Sequence, residues 1–453
     1  MHTIEIKNFG PLADINLQLN RIVFLLGEQA SGKSTLAKLV YFFRTFQEEF
    51  LNLVFASDSE NWQKVRSSYA SLLRRKFTGI FGETKVLGDF HLIYSYTDIE
   101  TVIVKPSLKK SQYLDITLSR ELDKKLELTW EKARKIHTMN KENAYDIYLN
   151  IIKDSVAQKD IISELNSIFN DNAYVTYIPA GRAFLSHQAL LRLIAADEIR
   201  RIIPNNKFEK NDFAEPSAYD IIDATTRSYI YEANRVREWH LSAQVRESLN
   251  TALKNGTSKY LSSLSRNILK GSYSADKYND YIEIKDGKKI KLSYASSGQQ
   301  EVIWVLNLLS SYVAEKRRCL LIIEEPETHL YPEAQYMLSK AIASFRNCTD
   351  SQILITTHSP YILTSFNNLI YAGECGKSSL AEDKLNEIVP KESWIEPEHF
   401  SSYILENGEL QNIKDTDLAM IDIAELDKVA STQDTEYEKM LTLASEVKKC
   451  APN

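Results

Sequence analysis

The sequence predicts an α/β protein with a mixed or parallel central sheet and a large helical insertion. Residues 22–26 form an apolar run typical of a buried strand, followed by a loop and a helical pattern that extends to about residue 55. Apolar strands and helices alternate again from about residue 291. Strands that alternate with helices on both sides of residues 60–290 indicate a parallel sheet interrupted by a long, mostly helical segment.

The composition excludes several classes of protein. Only 14 of the 453 residues are Gly and 11 are Pro, too few for a collagenous or broadly disordered chain. The net charge of −6 argues against nonspecific coating of nucleic acid or of an anionic membrane, so nucleic acid is a partner that the charge does not indicate. No apolar stretch approaches the roughly 18 residues of a spanning helix, which predicts a cytoplasmic protein without a membrane partner.

The four cysteines lie far apart, without CxxC spacing, so neither a zinc site nor a disulfide framework is indicated. We interpret all four as thiols and expect the first to be buried in a strand. They are Cys319, Cys348, Cys375 and Cys450.

Five segments are predicted along the chain. Residues 1–60 and 291–385 form the two halves of the α/β unit. Residues 61–170 form a mixed α/β insertion, and residues 171–290 a strand followed by a helical lobe or short arm. Residues 386–453 are expected to form a C-terminal helical extension.

A phosphate-binding loop is predicted directly after the first buried strand. GEQASGKS fits the pattern G-x-x-x-x-G-K-[ST], and its position between a strand and a helix is what this chemistry requires. The backbone N–H groups and the helix N-terminus would cradle phosphates, Lys33 would reach the β and γ phosphates of ATP, and Ser34 would bind Mg²⁺. The predicted nucleotide-binding residues of this loop are Gly27, Gln29, Ala30, Ser31, Gly32, Lys33, Ser34 and Thr35.

Two adjacent acids end the apolar strand CLLIIEEP. Side chains alternate across a strand, so Glu324 and Glu325 can serve different purposes. We expect Glu324 to join the Mg²⁺ shell and Glu325 to polarise the water that attacks ATP. Acids at a strand end are usually only solvated, and it is the phosphate-binding loop that favours the catalytic interpretation.

Two further motifs follow the same order along the chain. ASSGQQ resembles the LSGGQ signature of ABC ATPases, with Ser296, Gly298 and Gln299 matching at the start of a helix. ILITTHSP is another buried strand, and His358 near its end occupies the place of the ABC switch histidine, which would contact the γ-phosphate. In isolation each is more often a helix cap or a structural histidine.

Together the four motifs resemble those of ABC-type ATPase heads, in the AAA group that includes the overcoming-lysogenization-defect (OLD), structural-maintenance-of-chromosomes (SMC) and RecF-like ATPases. The phrases ASSGQQE, IIEEPETHLYPEAQ and THSPYIL carry this resemblance. It implies a P-loop NTPase fold and a head-to-head dimer with two composite ATP sites. In that dimer Glu327 to His329 would occupy the D-loop position.

The resemblance has departures. Gln29 and Ala30 stand where an Asn-Gly pair is usual, and Glu324 replaces the commoner Asp. No glutamine stands out in the position of the Q-loop. Arg182, after the strand YVTYI, is a weak candidate for that position, and an arginine capping the surface is the favoured alternative.

Three alternatives bear on function. An ABC transporter subunit has a short helical lobe between the P-loop and the signature, whereas Ser296 lies 262 positions after Ser34 here. A complete OLD nuclease needs a Toprim domain, for which we find no pattern after His358. A DNA-binding SMC-like or RecF-like ATPase remains an alternative, with Arg74–Lys76 among the basic clusters that could contact phosphates.

The resemblance therefore implies a standalone ATPase that forms a dimer or higher oligomer with itself. Such ATPases work with a separately encoded effector protein, such as a nuclease, in bacterial anti-phage systems of the Septu or PARIS type.

Overall fold

The structure, a computed structural model, describes residues 1–56, 61–82, 87–107, 114–142, 147–186, 222–241, 256–377, 382–415, 420–422 and 439–440. It confirms the predicted α/β class, because helices flank a mixed sheet of eleven strands. Residues 187–221 and 242–255 of the predicted helical lobe, and Cys450, lie outside the described residues.

The strands of the described residues are β1 (Thr3–Phe9), β2 (Leu12–Gln18), β3 (Ile22–Leu26), β4 (His91–Ser95), β5 (Thr101–Pro106), β6 (Leu114–Leu118), β7 (Tyr174–Ile178), β8 (Ser272–Ala275), β9 (Asp280–Glu283), β10 (Lys289–Lys291), β11 (Cys319–Glu324), β12 (Gln352–Thr356), β13 (Phe400–Glu406), β14 (Glu409–Asn412), β15 (Lys414–Asp415) and β16 (Met420–Ile421).

The helices of the described residues are α1 (Lys33–Arg44), α2 (Phe46–Ala56), α3 (Trp62–Phe81), α4 (Arg120–Glu142), α5 (Ile147–Ile168), α6 (Ala224–Leu241), α7 (Gly256–Leu269), α8 (Ser297–Glu315), α9 (Pro332–Thr349), α10 (Pro360–Cys375) and α11 (Glu382–Ile388).

The sheet has a parallel half and an antiparallel half. Its strand order is β6-β5-β4-β1-β2-β14-β13-β3-β12-β11-β7. The strands from β13 to β7 run parallel to one another, whereas those from β6 to β2 are antiparallel. Between the two halves, β14 is antiparallel to β13 and parallel to β2. Parallel strands need crossover connections that cover both faces, so the parallel half carries the continuous apolar runs that the sequence shows.

Each central strand contributes to two hydrophobic cores on opposite faces of the sheet. In β3, Ile22, Phe24 and Leu26 join one core, while Val23 and Leu25 join the other. This alternation follows from the two-residue period of a strand. Burial on both faces fixes β3 rigidly, so the loop that follows it leaves the sheet from a well-defined position.

The C-terminal segment differs from the helical extension predicted for residues 386–453. Residues Phe400–Glu406 form β13, which lies between β3 and β14 in the main sheet, and Glu409–Asn412 form β14. The run FSSYILE has the apolar and aromatic residues of a strand, and Asn407-Gly408, both with positive φ, form the turn of a hairpin. The prediction of helix here is wrong.

The segment at 61–170 is mixed α/β, but its strands are not separate from the main sheet. β4 pairs with β1 in antiparallel register, and β5 and β6 extend the sheet beyond it. β9 and β10 form an antiparallel hairpin around Asp286-Gly287, in a separate three-stranded sheet. Cys319 is fully buried in β11, as predicted.

Candidate functional site

The loop between β3 and α1 has a backbone conformation that requires glycine at two positions. Gly27 has φ +141° and Gly32 has φ +108°, a region that side chains rarely adopt. A Cβ on Gly27 would lie 2.6 Å from the Leu405 carbonyl oxygen, and one on Gly32 would lie 2.8 Å from the Leu12 side chain. The loop is therefore pressed against β13 and the β1–β2 turn.

Ala30 also has positive φ, +64°, at the position where the family pattern usually carries glycine. The replacement of Asn-Gly by Gln29-Ala30 thus keeps the left-handed backbone at that point.

The start of α1 offers donors suited to an anion. Gly32 caps the helix without a side chain, so no side-chain acceptor satisfies the first N–H groups. The hydroxyl of Ser31 is buried without a hydrogen-bond partner. Unpaired N–H groups at a helix N-terminus, with its positive dipole end, are the donors that phosphate binds in proteins. Ser34 and Thr35 follow on the first turn, and Ser34 is exposed.

Lys33 is folded onto this loop. Its ammonium donates to the carbonyl oxygens of Gly27 and Glu28, both at 2.7 Å. Desolvation lowers the pKa of Lys33, while the carboxylates of Glu325, Glu327 and Glu324 oppose that shift. The ammonium is thus placed between the loop and the acidic end of β11.

The registers of β3, β12 and β11 bring the predicted motifs to one edge of the sheet. Thr356 of β12 lies beside Leu25 on one side and Glu324 on the other. Since these strands are parallel, the residues that follow each of them emerge at the same edge. The phosphate-binding loop, the acids and His358 therefore converge at this edge.

Glu324 is a buried carboxylate with one unused oxygen. It is 6% exposed; Oε2 accepts from the backbone N–H of Ala180 at 3.2 Å, and Oε1 has no hydrogen-bond partner. Leaving such an atom buried costs free energy, which a cation would offset. No group of three or more His, Cys, Asp or Glu side chains in the described ranges could hold a metal on its own. A single buried carboxylate such as Glu324 fits Mg²⁺, which usually keeps waters and phosphate oxygens beside one or two protein ligands.

Glu325 and His358 face each other. His358 Nδ1 lies 3.6 Å from Glu325 Oε1 and 3.5 Å from Glu327 Oε1. The contact with His358 lowers the pKa of Glu325, and the Glu325 carboxylate raises the pKa of His358. Both side chains are partly exposed, so they are available to a ligand.

The segment after Glu325 is held in a fixed turn. Glu325 has φ +41°, unusual for a residue other than glycine, and its N–H donates to the Thr356 carbonyl at 2.9 Å. Glu327 is 6% exposed and accepts from the Thr357 hydroxyl at 2.7 Å and from the backbone N–H of His358 at 3.1 Å. These bonds lock the predicted D-loop onto the end of β12.

The predicted signature forms the start of α8. Ser296 caps the helix, and its partner Gln299 bonds back to it in a capping box. A Cβ on Gly298 would lie 2.5 Å from the His329 carbonyl oxygen, so the helix start packs against the predicted D-loop. Ser296 is exposed and bonds within its own turn, and Lys33 bonds to carbonyls of the phosphate-binding loop. No hydrogen bond among the described residues therefore joins Ser296 to Lys33 within one chain.

Arg182 is the residue that sequence reasoning judged wrongly. It is fully buried rather than capping the surface, and its guanidinium donates to the carbonyl oxygens of Glu324 at 2.8 Å and Glu325 at 3.2 Å. It also lies beside the buried carboxylate of Glu301, in the signature helix. The signal in the sequence was a lone charge at the end of an apolar strand, followed much later by a lone acid in an apolar helix.

A model of the AAA ATPase domain family matches residues 1–363 of the chain. No curated protein is significantly similar to the chain in sequence. Within the described residues no helix is long and apolar enough to cross a bilayer.

Three solved SMC head structures are similar to the chain. An Smc head bound to the C-terminal winged-helix domain of ScpA has 9% identity and a TM-score of 0.39, over 91% of this chain and 96% of that one. The SMC head from Thermotoga maritima has 10% identity and a TM-score of 0.34, over 91% and 97%. An Smc head from Pyrococcus furiosus, with an extended coiled coil and bound to the C-terminal domain of ScpA, has 11% identity and a TM-score of 0.37, over 96% and 100%. Scores this low carry no conclusion about function.

Proposed function

The chain belongs to the AAA ATPase domain family, and from this premise we propose that it binds ATP with Mg²⁺ and hydrolyses it to ADP and phosphate. The observation that carries the proposal is the convergence at one sheet edge of an anion-binding helix start, Lys33, a buried carboxylate with an unused oxygen, and the Glu325–His358 pair. Each is what phosphoryl transfer needs, since its catalysis depends on positioning and on charge stabilisation.

The geometry supports a proposed role for each residue of the site. The loop from Gly27 to Thr35 holds the phosphates, and Lys33 turns from the loop carbonyls to the β and γ phosphates. Ser34 and Glu324 would hold Mg²⁺, which would neutralise the charge on the phosphates. Glu325 polarises the attacking water; its lowered pKa keeps it ionised, and ionised carboxylate is the form that accepts a proton. His358 contacts the γ-phosphate.

We propose that the complete site needs a second copy of the chain. Ser296 is exposed, and its hydroxyl and Gln299 already satisfy each other within the capping box. A head-to-head dimer would place the signature helix start of one copy over the phosphates at Lys33 of the other. ATP would then join the two copies and favour the dimer by mass action.

The test is phosphate release by the purified protein and by Lys33→Ala. Lys38→Ala is the matched control, because Lys38 lies on the same helix but pairs with Asp223 at 3.7 Å instead of with the loop. We expect hydrolysis by the unmodified protein and by Lys38→Ala, and loss of hydrolysis in Lys33→Ala. Equal rates in all three would refute the proposal.

A finer proposal concerns the biological role. From the resemblance of its motifs to standalone ATPases of anti-phage systems, we propose that the ATP-bound dimer or higher oligomer holds a separately encoded effector. A phage trigger or nucleotide depletion would release or activate that effector. The test is co-purification of the neighbouring gene product, together with phage protection in Lys33→Ala cells. Protection that persists in Lys33→Ala would refute this role.

DNA binding is the second candidate, but two residues of the basic cluster proposed to contact DNA already have partners. Of the basic cluster Arg74–Lys76, Lys76 pairs with Glu49 and Arg74 donates to the Leu114 carbonyl, which leaves Arg75 exposed. A DNA titration at two salt concentrations decides between the roles, since phosphate contacts weaken steeply with salt.

A further inference from the structure

The structure contains a buried connection between the signature helix and the acids of β11, and it passes through Arg182. Arg182 begins a short helical turn that follows β7, the edge strand beside β11. It is among the largest fully buried side chains described. A charge so deep is costly unless it is paired and hydrogen-bonded, so its partners reveal what it stabilises.

The partners on one side are backbone carbonyls at the catalytic edge. Nη1 donates to the carbonyl oxygens of Pro179 at 2.9 Å and Glu324 at 2.8 Å, and Nη2 donates to that of Glu325 at 3.2 Å. The guanidinium thus spans both acids, using the fixed fork of donors that only arginine has. Its position determines where the Glu325 backbone lies.

The partner on the other side is Glu301 of α8. Its Oε2 lies 3.6 Å from Arg182 Nε and accepts from the Arg182 backbone N–H at 2.9 Å, while Oε1 accepts from the N–H of Ala183 at 3.2 Å. Glu301 is 2% exposed. Since α8 begins at the signature, Glu301 ties the turn at Arg182 to the helix whose first residues face the proposed partner copy.

Glu325 needs such support. Its left-handed backbone, φ +41°, is unfavourable for a residue with a side chain and persists only where surrounding contacts hold it. Its carbonyl is held by Arg182 and by the Thr328 hydroxyl, at 2.8 Å. Without the guanidinium, the carboxylate would lose part of the orientation that a hydrolytic role demands.

We propose that Arg182 is a positioning residue for ATP hydrolysis, which holds Glu325 in its hydrolytic orientation and couples it through Glu301 to the signature helix. This inference rests on the proposed ATPase function. Arg182 makes no hydrogen bond described here to the phosphate-binding loop or to Lys33, and its bonds to Glu324 and Glu325 go to their backbone carbonyls. Its loss should therefore slow the chemical step far more than it weakens ATP binding.

The test compares kcat with the dissociation constant for a fluorescent ATP analogue in three variants. Arg182→Lys keeps the charge beside Glu301 but has one ammonium in place of the fork. Arg182→Met removes the charge, and Arg182→Met with Glu301→Gln also neutralises the carboxylate that would otherwise be stranded. Thermal unfolding shows which variants are folded, and we expect the double variant to recover stability lost in Arg182→Met.

The expected result is a kcat about 10- to 100-fold lower in all three variants, as for a misplaced catalytic group, with dissociation constants within about threefold of the unmodified protein. Recovery of kcat together with stability in the double variant or in Arg182→Lys would show a merely structural role and overturn the inference. A loss of ATP affinity that parallels the loss of kcat would also overturn it. If the unmodified protein does not hydrolyse ATP, both the proposed ATPase function and the role of Arg182 are refuted. If every variant hydrolyses ATP at the unmodified rate, the role of Arg182 is refuted and the ATPase function stands.

Discussion

Gly298 packs against the predicted D-loop, so Gly298→Ala, which adds one methyl group, tests the proposed ATP site shared by two copies of the chain. A Cβ at Gly298 would lie 2.5 Å from the His329 carbonyl oxygen, with the Leu330 side chain at 3.4 Å. The obstacle is a backbone carbonyl, which cannot swing away like a flexible side chain. In Gly298→Ala the start of α8 must therefore separate from the D-loop.

The size of the displacement follows from the distances. An ordinary contact of 3.4 Å requires a separation about 0.9 Å larger than the 2.5 Å that the unchanged backbone allows. Overpacking of this kind costs about 1–3 kcal/mol, and alanine's better helix propensity offsets up to about 1 kcal/mol of it. We expect a small loss of stability and a displacement of the exposed cap, Ser296, by several tenths of an ångström.

The assay is ATP-dependent dimerisation by analytical ultracentrifugation, with ATP binding to the monomer measured in parallel. A misplacement of 1 Å costs up to about 100-fold where geometry is exacting, so a displacement of several tenths of an ångström should weaken dimerisation by about tenfold while monomer affinity for ATP is unchanged. Gly256→Ala is the matched control: Gly256 also begins a helix, but its nearest neighbour is a side-chain oxygen of Glu392 at 3.9 Å. Equal dimerisation of both variants would refute the packing argument.

Three further predictions concern charge and burial. Glu325 raises the pKa of His358, so their ion pair is present between the lowered pKa of Glu325 and the raised pKa of His358. It is lost as pH rises above that window, where His358 loses its proton, and as pH falls below it, where Glu325 gains one. Glu325→Gln should therefore lower the pKa of His358 in an NMR titration, and an unchanged pKa would contradict the contact. Asp171→Asn should destabilise the fold by about 3–5 kcal/mol in urea unfolding, because it strands the buried Arg44 charge 2.5 Å away, and a loss below about 1 kcal/mol would contradict that pairing. Burial raises the pKa of Cys319 to about 12, so a thiol reagent should modify it only on unfolding; reaction in the folded protein would show that β11 is accessible.

The sequence predicted the parallel half of the fold because its strands carry their own signal. β3, β11 and β12 are continuous apolar runs, each followed by a motif at a strand end. β13 had a local strand signal in FSSYILE and the Asn407-Gly408 turn, but its place in the sheet depends on pairing with β3, nearly 400 residues earlier. Such long-range pairing has no local signature.

The candidate site shows the same division. The glycines and charges of the phosphate-binding loop and the acid pair lie in short patterns whose chemistry can be read directly. Arg182 and Glu301 are far apart in sequence, and only the packing of α8 against the turn after β7 brings them together. Arg182 was expected to be exposed, because a buried arginine is stable only with partners, and no single segment of the sequence reveals them.

The central claim is that ATP joins two copies of this chain through Lys33 of one and Ser296 of the other. Size-exclusion chromatography with light scattering of Glu325→Gln in Mg²⁺ and ATP tests it most directly, since slow hydrolysis should preserve the joined state. We predict twice the 51.9 kDa mass of one chain with ATP, one mass without it, and one mass when Ser296→Arg is added although ATP still binds. A Glu325→Gln protein that binds ATP yet keeps the mass of a single chain would contradict the claim.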